Sequence, residues 1–216
     1  MMQNPRAKGS ARDKEILHAI AEYRALDADQ VWALYFSRIK HGRRKAQDRL
    51  LTLHRRGELQ RTRAGAYVYY YERPKQLKHL IGVNWVRIWL GAGLKSWEKL
   101  SQYHYEVDYR VLRADAFATV RNTVAGGHRF YFIEMERSHN GFDKVQKYCK
   151  LFEREAYKGW WWVKLTNRFP PILVVTTTPG KARHIERVIG EQNTAGLEWR
   201  VLLLDDLRRE VLDRCK

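Results

Sequence analysis

The chain has 216 residues, 44% of them hydrophobic, with eight Trp, twelve Tyr and seven Phe. This composition excludes a disordered chain, and no apolar run approaches the roughly 20 residues that a membrane-spanning helix requires. The first ten residues lack the apolar segment of a secretory signal. The only cysteines, Cys149 and Cys215, form neither a disulfide framework nor a metal-ligand spacing, so we expect a cytoplasmic protein without structural zinc.

The charge of the chain is strongly positive. Lys and Arg total 41 against 24 Asp and Glu, a formal net charge of +17. Residues 1–79 hold 18 basic and 8 acidic side chains, and residues 80–216 hold 23 and 16, so the excess is densest in the shorter segment. Such an excess attracts polyanions and favours a nucleic-acid partner. The alternatives are a generically basic protein and one that docks on an anionic membrane.

The N-terminal third predicts three helices and a hairpin. Apolar residues recur at helical spacing over residues 12–23, Asp27 is an N-cap for a helix over residues 28–36, and a third helix over residues 43–56 ends at Gly57. Residues 58–61 and 66–71 then predict two strands around a turn at 63–65. Three helices followed by a basic hairpin is the order of a winged helix-turn-helix domain, which we place at residues 11–73.

The third predicted helix has two different faces. Ala46, Leu50 and Leu53 form an apolar stripe, and the basic side chains lie largely away from it, as a helix that reads the major groove requires. We expect the basic face of this helix to bind double-stranded DNA. Alternatively, it is an ordinary face that contacts only solvent. The candidate DNA-binding residues are Arg43, Arg44, Lys45 and Arg55 of the helix and Arg61 and Arg63 of the hairpin.

The pattern changes after Pro74 to helices alternating with strands, in a second domain placed at residues 78–216. We expect, in order, a helix (79–90), three strands (105–112, 114–121 and 128–135), a helix (142–157), a strand (172–178), a helix (180–190), a strand (199–204) and a final helix capped by Asp205. This order predicts a mixed sheet with helices on both faces. The chain as a whole is therefore expected to be α+β.

Three acidic residues are candidate metal ligands. A loop at residues 122–127 sets an antiparallel register in which Asp115 lies opposite Glu134, with Cβ atoms about 5 Å apart, and Glu136 shares the face of Glu134 because strand side chains alternate. Carboxylates this close need a cation between them, and oxygen ligands suit Mg²⁺ or Mn²⁺. Alternatively, the two glutamates pair with Arg113, Arg137 or Lys144 at an ordinary strand end.

Three short motifs follow one another in the second half of the chain, RADA at 113–116, FIEMERS at 132–138 and KVQKY at 144–148. They resemble the replication-relaxation family of plasmids and integrative elements, whose pattern is roughly R-P-D-A, F-x-E-x-D-R-G-T and K-L-x-x-Y after a winged helix. The chain departs from that pattern at Ala114, Glu136 and Ser138. The resemblance implies a role in plasmid replication, relaxation or mobilisation.

The same elements resemble the PD-(D/E)XK nuclease fold, whose core is helix, three strands, helix, strand. The resemblance implies that Asp115 and Glu134 are the two acids of the catalytic site, with Glu136 standing where the family has its lysine and Lys144 replacing that lysine from the following helix. It implies a Mg²⁺- or Mn²⁺-dependent nicking endonuclease with Asp115, Glu134, Glu136 and Lys144 as catalytic residues. The alternative is an inactive regulator or origin-binding protein that keeps the fold.

Two further groups of residues leave alternatives open. The run Trp160-Trp161-Trp162 would stack on bases of single-stranded DNA, or pack in the core or in a homodimer. The predicted helix at 180–190 has a basic face formed by Lys181, Arg183, His184 and Arg187. This face either contacts phosphate groups or is simply solvated. The sequence contains no His-x-His pair and no G-x-x-x-x-G-K-[ST] loop, so relaxase chemistry with that histidine signature and ATP-driven action are not expected.

Overall fold

The computed structural model describes residues 5–137 and 141–216. It is an α+β protein with a three-stranded sheet and a five-stranded mixed sheet. The chain divides into two compact units, Met1–Ile88 with Arg209–Lys216, and Trp89–Arg208. Among the described helices, none combines the length and the apolar character needed to cross a membrane.

The first unit begins with the three predicted helices and the predicted hairpin. Its elements are α1 (Pro5–Tyr23), β1 (Leu26–Asp27), α2 (Ala28–Val31) continued by a π-helical turn (Trp32–Phe36), α3 (Gly42–Arg55), β2 (Gln60–Ala64) and β3 (Ala66–Tyr70). The predicted N-cap is confirmed, because the Asp27 carboxylate accepts the Gln30 N–H at 2.8 Å and the Gln30 side chain accepts the Asp27 N–H at 3.1 Å.

The hairpin and β1 form the small sheet, with strand order β1-β3-β2 and antiparallel pairing throughout. Ala64 faces Ala66 across Gly65, whose φ of +93° is a conformation that glycine adopts without strain. Side chains from all three helices are fully buried in the unit, among them Ile16, Ile20 and Leu50. The predicted third helix and hairpin are thus present with nearly the predicted bounds.

Helix α4 (Leu77–Ala92) belongs to the first unit as far as Ile88. The buried Asn84 side chain donates to the carbonyls of Tyr23 at 3.1 Å and Ala25 at 2.7 Å, and these bonds tie α4 to the end of α1. The last residues of the chain also belong here, since the Arg38 N–H donates to the Cys215 carbonyl at 3.1 Å. The predicted domains, 11–73 and 78–216, therefore differ in extent from these two compact units, and their bounds stay a prediction.

After α4, the strands and helices follow the predicted order, most of them in the second unit. Its elements are β4 (Glu98–Asp108), β5 (Arg113–Asn122), β6 (His128–Glu136), α5 (Lys144–Glu153), a 3-10 helix (Trp161–Leu165), β7 (Ile172–Thr176), α6 (Pro179–Gln192) and β8 (Trp199–Leu203), followed by α7 (Leu204–Asp213), which crosses into the first unit. The strands lie in the order β4-β5-β6-β7-β8, antiparallel from β4 to β6 and parallel from β6 to β8. The predicted mixed sheet is confirmed.

Several predicted elements have wrong bounds. The helix predicted at 12–23 begins already at Pro5. The strand predicted at 105–112 instead spans Glu98–Asp108, because the Asp108 carboxylate accepts the Arg110 N–H at 2.7 Å and turns the chain. The helix predicted at 142–157 ends at Glu153, just before Glu155 takes a left-handed φ of +54°. Asp205 lies in the first turn of α7 rather than before it.

Helices α5 and α6 pack on one face of the large sheet. Their buried residues Val145, Tyr148 and Ile185 share a core with Phe132 of β6 and Val174 of β7. The strand residues that alternate with these point to the opposite face of the sheet and are buried as well. Neither face of the central strands is therefore exposed to solvent. Glu134 and Glu136 alternate with the buried Met135 and face the side of α5 and α6.

Candidate functional site

The exposed face of α3 carries three of the predicted DNA-binding residues. Arg44, Lys45 and Arg55 are exposed, and the stripe Ala46, Leu50 and Leu53 on the other side of the helix is fully buried. Arg44 lies 4.0 Å from Asp48, but both side chains are largely exposed, and such a pair contributes little. These cations are therefore available to an external anion.

Arg43 differs from its neighbours on α3. Its guanidinium group is held by both carboxylate oxygens of Asp29, with an Nε–Oδ1 distance of 2.6 Å and an Nη2–Oδ2 distance of 2.9 Å. The hydrogen bond and charge of Asp29 raise the pKa of Arg43. The pair links α3 to α2 and leaves the Nη1 group and one N–H of Nη2 for the predicted contact of Arg43 with DNA.

The hairpin presents two cations on one face of β2. The Arg61 guanidinium lies over the Tyr67 ring, 4.3 Å from its centroid, and Arg63 is exposed beside the turn at Gly65. The aromatic ring holds the Arg61 side chain along the strand. Both predicted hairpin residues are thus placed at the surface of the first unit.

A cationic cleft at the start of α3 was missed by the sequence reasoning. It has a volume of about 580 Å³, and its lining includes Arg38, Lys40, Arg44 and Lys216. Lys216 reaches it because the Cys215 carbonyl is bound to the Arg38 N–H. Residues so distant in sequence give no local signal of this proximity.

The predicted register between β5 and β6 is present, and it ends at the predicted site. Ala116 pairs with Ile133, and beyond that pair β6 continues beside β7, with Glu134 opposite Val174. The Asp115 carboxylate then accepts the backbone N–H of Met135 at 2.7 Å, through the oxygen Oδ2. Asp115 therefore occupies the fork where the two strands separate.

Glu134 is the most deeply buried acid of the site, with 2% of the residue exposed. The Tyr148 hydroxyl donates to Oε1 at 2.7 Å, and the Lys144 ammonium lies 2.8 Å from Oε2 in an ion pair. Burial and the charge of Asp115 raise the pKa of Glu134 to about 7, against the opposing effect of Lys144. The carboxyl group is thus poised to titrate near neutral pH.

Lys144 belongs to the first turn of α5 and joins the two strands at the fork. Its ammonium donates to the Arg113 carbonyl at 2.8 Å as well as pairing with Glu134. Burial lowers the pKa of Lys144, but the charge and hydrogen bond of Glu134, together with the charges of Asp115 and Asp143, raise it overall. Lys144 therefore remains an ammonium group at neutral pH. We call Asp115, Glu134, Glu136 and Lys144 the acid–lysine cluster.

Each carboxylate of the acid–lysine cluster has a partner of its own. The third acid, Glu136, lies 3.9 Å from the Lys181 ammonium of α6. Over residues 5–137 and 141–216, no group of three His, Cys, Asp or Glu side chains is arranged to hold a metal ion. As the side chains stand, the donor set does not fit the predicted Mg²⁺ or Mn²⁺, because Lys144 and Tyr148 engage both oxygens of Glu134. Ser138 of the family motif lies outside the described residues.

The tryptophan run packs mainly into the second unit. Trp162 is 1% exposed, its indole N–H donates to the Tyr109 hydroxyl at 3.2 Å, and Trp160 packs against the Tyr109 ring. Trp161 is 38% exposed. Core packing is confirmed for Trp162, and stacking of a base on Trp161 stays a prediction.

The residues of the predicted basic face on α6 have different surroundings. Lys181 is mostly buried, Arg183 is exposed, and Arg187 lies 3.9 Å from Glu191 in an exposed pair. Lys181 and His184 line a cavity at the start of the helix.

No family model, curated protein or solved structure matches the chain.

Proposed function

We propose that the protein binds double-stranded DNA through its first unit, in the manner of a winged helix-turn-helix protein. The observation that carries this proposal is the exposed cationic face of α3, with Arg44, Lys45 and Arg55 opposite a fully buried apolar stripe. In such domains the helix enters the major groove, where arginine and lysine reach base edges and phosphates. The net charge of +17 supplies the long-range attraction.

The hairpin β2–β3 is the proposed wing. Arg61 and Arg63 share one face of β2, and Gly65 makes the turn between the strands narrow. A hairpin with two cations on one face suits contact with the phosphate backbone beside the groove that the helix occupies. The helix would supply base contacts and the hairpin would supply phosphate contacts.

For the second unit we propose a nuclease-like fold that does not cleave DNA. The strand order and the acids at the fork support the resemblance to PD-(D/E)XK nucleases. The close pairing of Lys144 and Tyr148 with Glu134 favours an inactive site, since the carboxylate is already engaged by protein groups. The protein would then act as a regulator or origin-binding protein, and the family resemblance suggests plasmid replication, relaxation or mobilisation as its setting.

A second candidate function is a nicking endonuclease. It is favoured by the convergence of Asp115, Glu134 and Lys144, two acids and a lysine, at one strand fork. In that case Lys144 would leave Glu134 and neutralise the attacked phosphate. A nicking assay on supercoiled plasmid with Mg²⁺, Mn²⁺ or EDTA separates the two candidates. Metal-dependent nicking that is lost in Asp115→Asn identifies the enzyme, and binding without nicking identifies the regulator.

A further inference from the structure

A cavity of about 380 Å³ opens where the carboxyl ends of β6 and β7 meet the first turn of α6. Its lining includes Arg137, Thr176, Thr178, Gly180, Lys181 and His184. Neither Asp115, Glu134 nor Lys144 lines it, so the cavity is separate from the centre of the acid–lysine cluster. We call it the α6 cavity.

The first turn of α6 offers donors to an anion. The Thr178 side chain caps the Lys181 N–H at 3.2 Å, its carbonyl accepts the Ala182 N–H at 3.0 Å, and Pro179 has no N–H. Neither of these bonds uses the amide of Gly180, which is a donor at the helix end. Apart from its chain neighbours and the backbone of its own helix, no atom lies within 4 Å of the place where a Gly180 Cβ would be, so the surface beside this residue is open. The dipole of the helix favours negative charge at the same place.

The hydroxyl group of Thr176 also points to a ligand in the α6 cavity. Thr176 is 1% exposed, lines the α6 cavity, and its Oγ1 has no hydrogen-bond partner in the structure. Its side chain faces the side of the sheet on which Glu136 and Val174 lie, because these three positions share strand alternation and register. A buried hydroxyl without a partner is costly, and a ligand oxygen would remove that cost.

The charges around the α6 cavity favour an anion over a metal ion. Lys181 has only 13% of its side chain exposed, and its ammonium lies 3.9 Å from Glu136, beyond hydrogen-bonding distance. Arg137 and His184 add to the lining, and the His184 ring nitrogen Nδ1 lies 3.2 Å from the Arg187 guanidinium. The lining thus brings two obligate cations and an imidazole to one cavity, and cationic side chains suit an anion better than a metal ion.

We propose that the α6 cavity binds a phosphate group, held by the Lys181 ammonium, the Gly180 amide and the Thr176 hydroxyl. A terminal phosphate suits a cavity with several donors, because it presents three oxygens and up to two charges. Two sources share this chemistry, the 5′-phosphate at the end of a nucleic-acid strand and a free mononucleotide. The proposal does not depend on duplex binding by the first unit.

The test is the melting temperature of the full chain against inorganic phosphate, with KCl at matched ionic strength as the reference. We expect a saturable rise, since a ligand that binds only the folded state stabilises it. Lys181→Gln should weaken phosphate binding about tenfold or more, because it removes a charge-assisted hydrogen bond. Glu136→Gln should strengthen binding, because it removes the carboxylate that competes for Lys181.

Thr176→Val is the sharpest variant, because valine matches threonine in shape and removes a hydroxyl without a partner. The melting temperature without phosphate should stay the same or rise, and the phosphate-dependent rise should shrink. Thr119→Val is its control, since Thr119 on β5 is equally buried and its Oγ1 also lacks a partner. The control should keep the full response to phosphate.

The source of the phosphate is found with a 5′-phosphorylated single strand, the same strand with a 5′-hydroxyl, and thymidine 5′-monophosphate. Tighter binding of the phosphorylated strand supports a strand end, and binding of the mononucleotide alone supports a free nucleotide. The proposal is overturned if phosphate gives no rise beyond KCl, or if Lys181→Gln and Thr176→Val respond like the wild type. Duplex affinity measured in parallel should not change, which keeps this result separate from the function of the first unit.

Discussion

The Lys144 ammonium lies 2.8 Å from the buried Glu134 carboxylate, whose other oxygen accepts the Tyr148 hydroxyl at 2.7 Å. This arrangement places a cationic side chain where the sequence predicts a divalent ion. It also explains how an acid with 2% of its surface exposed is tolerated beside Asp115. The stability, the pH response and the metal response of the protein should all reflect this pair.

Removing Lys144 should destabilise the protein strongly. Lys144→Met leaves Glu134 buried without its cation, which typically costs about 3–5 kcal/mol in unfolding free energy. Lys147→Met is the matched control on the same helix, because Lys147 pairs with Asp143 in an exposed contact that is worth about 1 kcal/mol or less. Urea denaturation at pH 8 measures both. Equal effects of the two substitutions would show that the buried pair contributes no more to the unfolding free energy than the exposed pair.

The free energy of unfolding should depend on pH through the titration of Glu134. Its pKa is raised from 4.5 to about 7 in the folded state, so between these values the folded protein binds the proton more tightly than the unfolded chain. Protonation of Glu134 therefore contributes on the order of 3 kcal/mol to the free energy of unfolding. This contribution is fully present below pH 4.5 and is lost as the pH rises through 7. Glu134→Gln should remove this component. The measurement is the difference in unfolding free energy between wild type and Glu134→Gln from pH 4.5 to 7.5, and a difference that is constant with pH would refute it.

The metal response should depend on Lys144. In the wild type we expect Mn²⁺ to leave the melting temperature unchanged, because Glu134 is already neutralised. In Lys144→Ala, Asp115 and Glu134 lose their cation, and Mn²⁺ should then stabilise the variant. A Mn²⁺-dependent rise in the wild type that disappears in Asp115→Asn would instead support the metal site predicted from the sequence.

The start of α3 should tolerate no side chain at Gly42. A Cβ there would lie 2.2 Å from the Phe36 carbonyl oxygen and 2.9 Å from the Trp32 indole nitrogen. Because the nearer atom is backbone, Gly42→Ala should lower the unfolding free energy by about 2 kcal/mol or more. Gly91→Ala in α4 meets no atom within 4 Å and should stabilise slightly, by up to about 1 kcal/mol. Thermal melts of the two variants should therefore move in opposite directions.

Much of the fold was predictable because its signals are local. The Asp27 cap, the apolar stripe of α3 and the glycine turn at Gly65 are each encoded within a few residues. The register that places Asp115 beside Glu134 followed from the length of one loop. These features depend on capping, periodicity and turn geometry, which act over short distances along the chain.

The features that could not be predicted depend on distant parts of the chain. Asn84 ties α4 to the carbonyls of Tyr23 and Ala25, and the Cys215 carbonyl binds Arg38, so the first unit extends beyond the predicted boundary. Lys144 was predicted only as an alternative partner of the acids, because spacing alone does not distinguish a lysine from a metal ion as the neutralising charge. The pairing of Lys181 with Glu136 was not predicted. The turn that ends β4 at Asp108 was hidden by the apolar residues that follow it.

DNA binding by the first unit should make the affinity for a DNA duplex depend strongly on salt, which fluorescence anisotropy measures. If α3 and the hairpin contact phosphates, log K should fall with log [salt] by several units, and Arg44→Ala with Arg63→Ala should reduce that slope by about two. Lys99→Ala with Lys150→Ala removes the same charge from exposed positions of the second unit and should leave the slope almost unchanged. An unchanged affinity and slope in the Arg44 and Arg63 double variant would contradict DNA binding by the first unit.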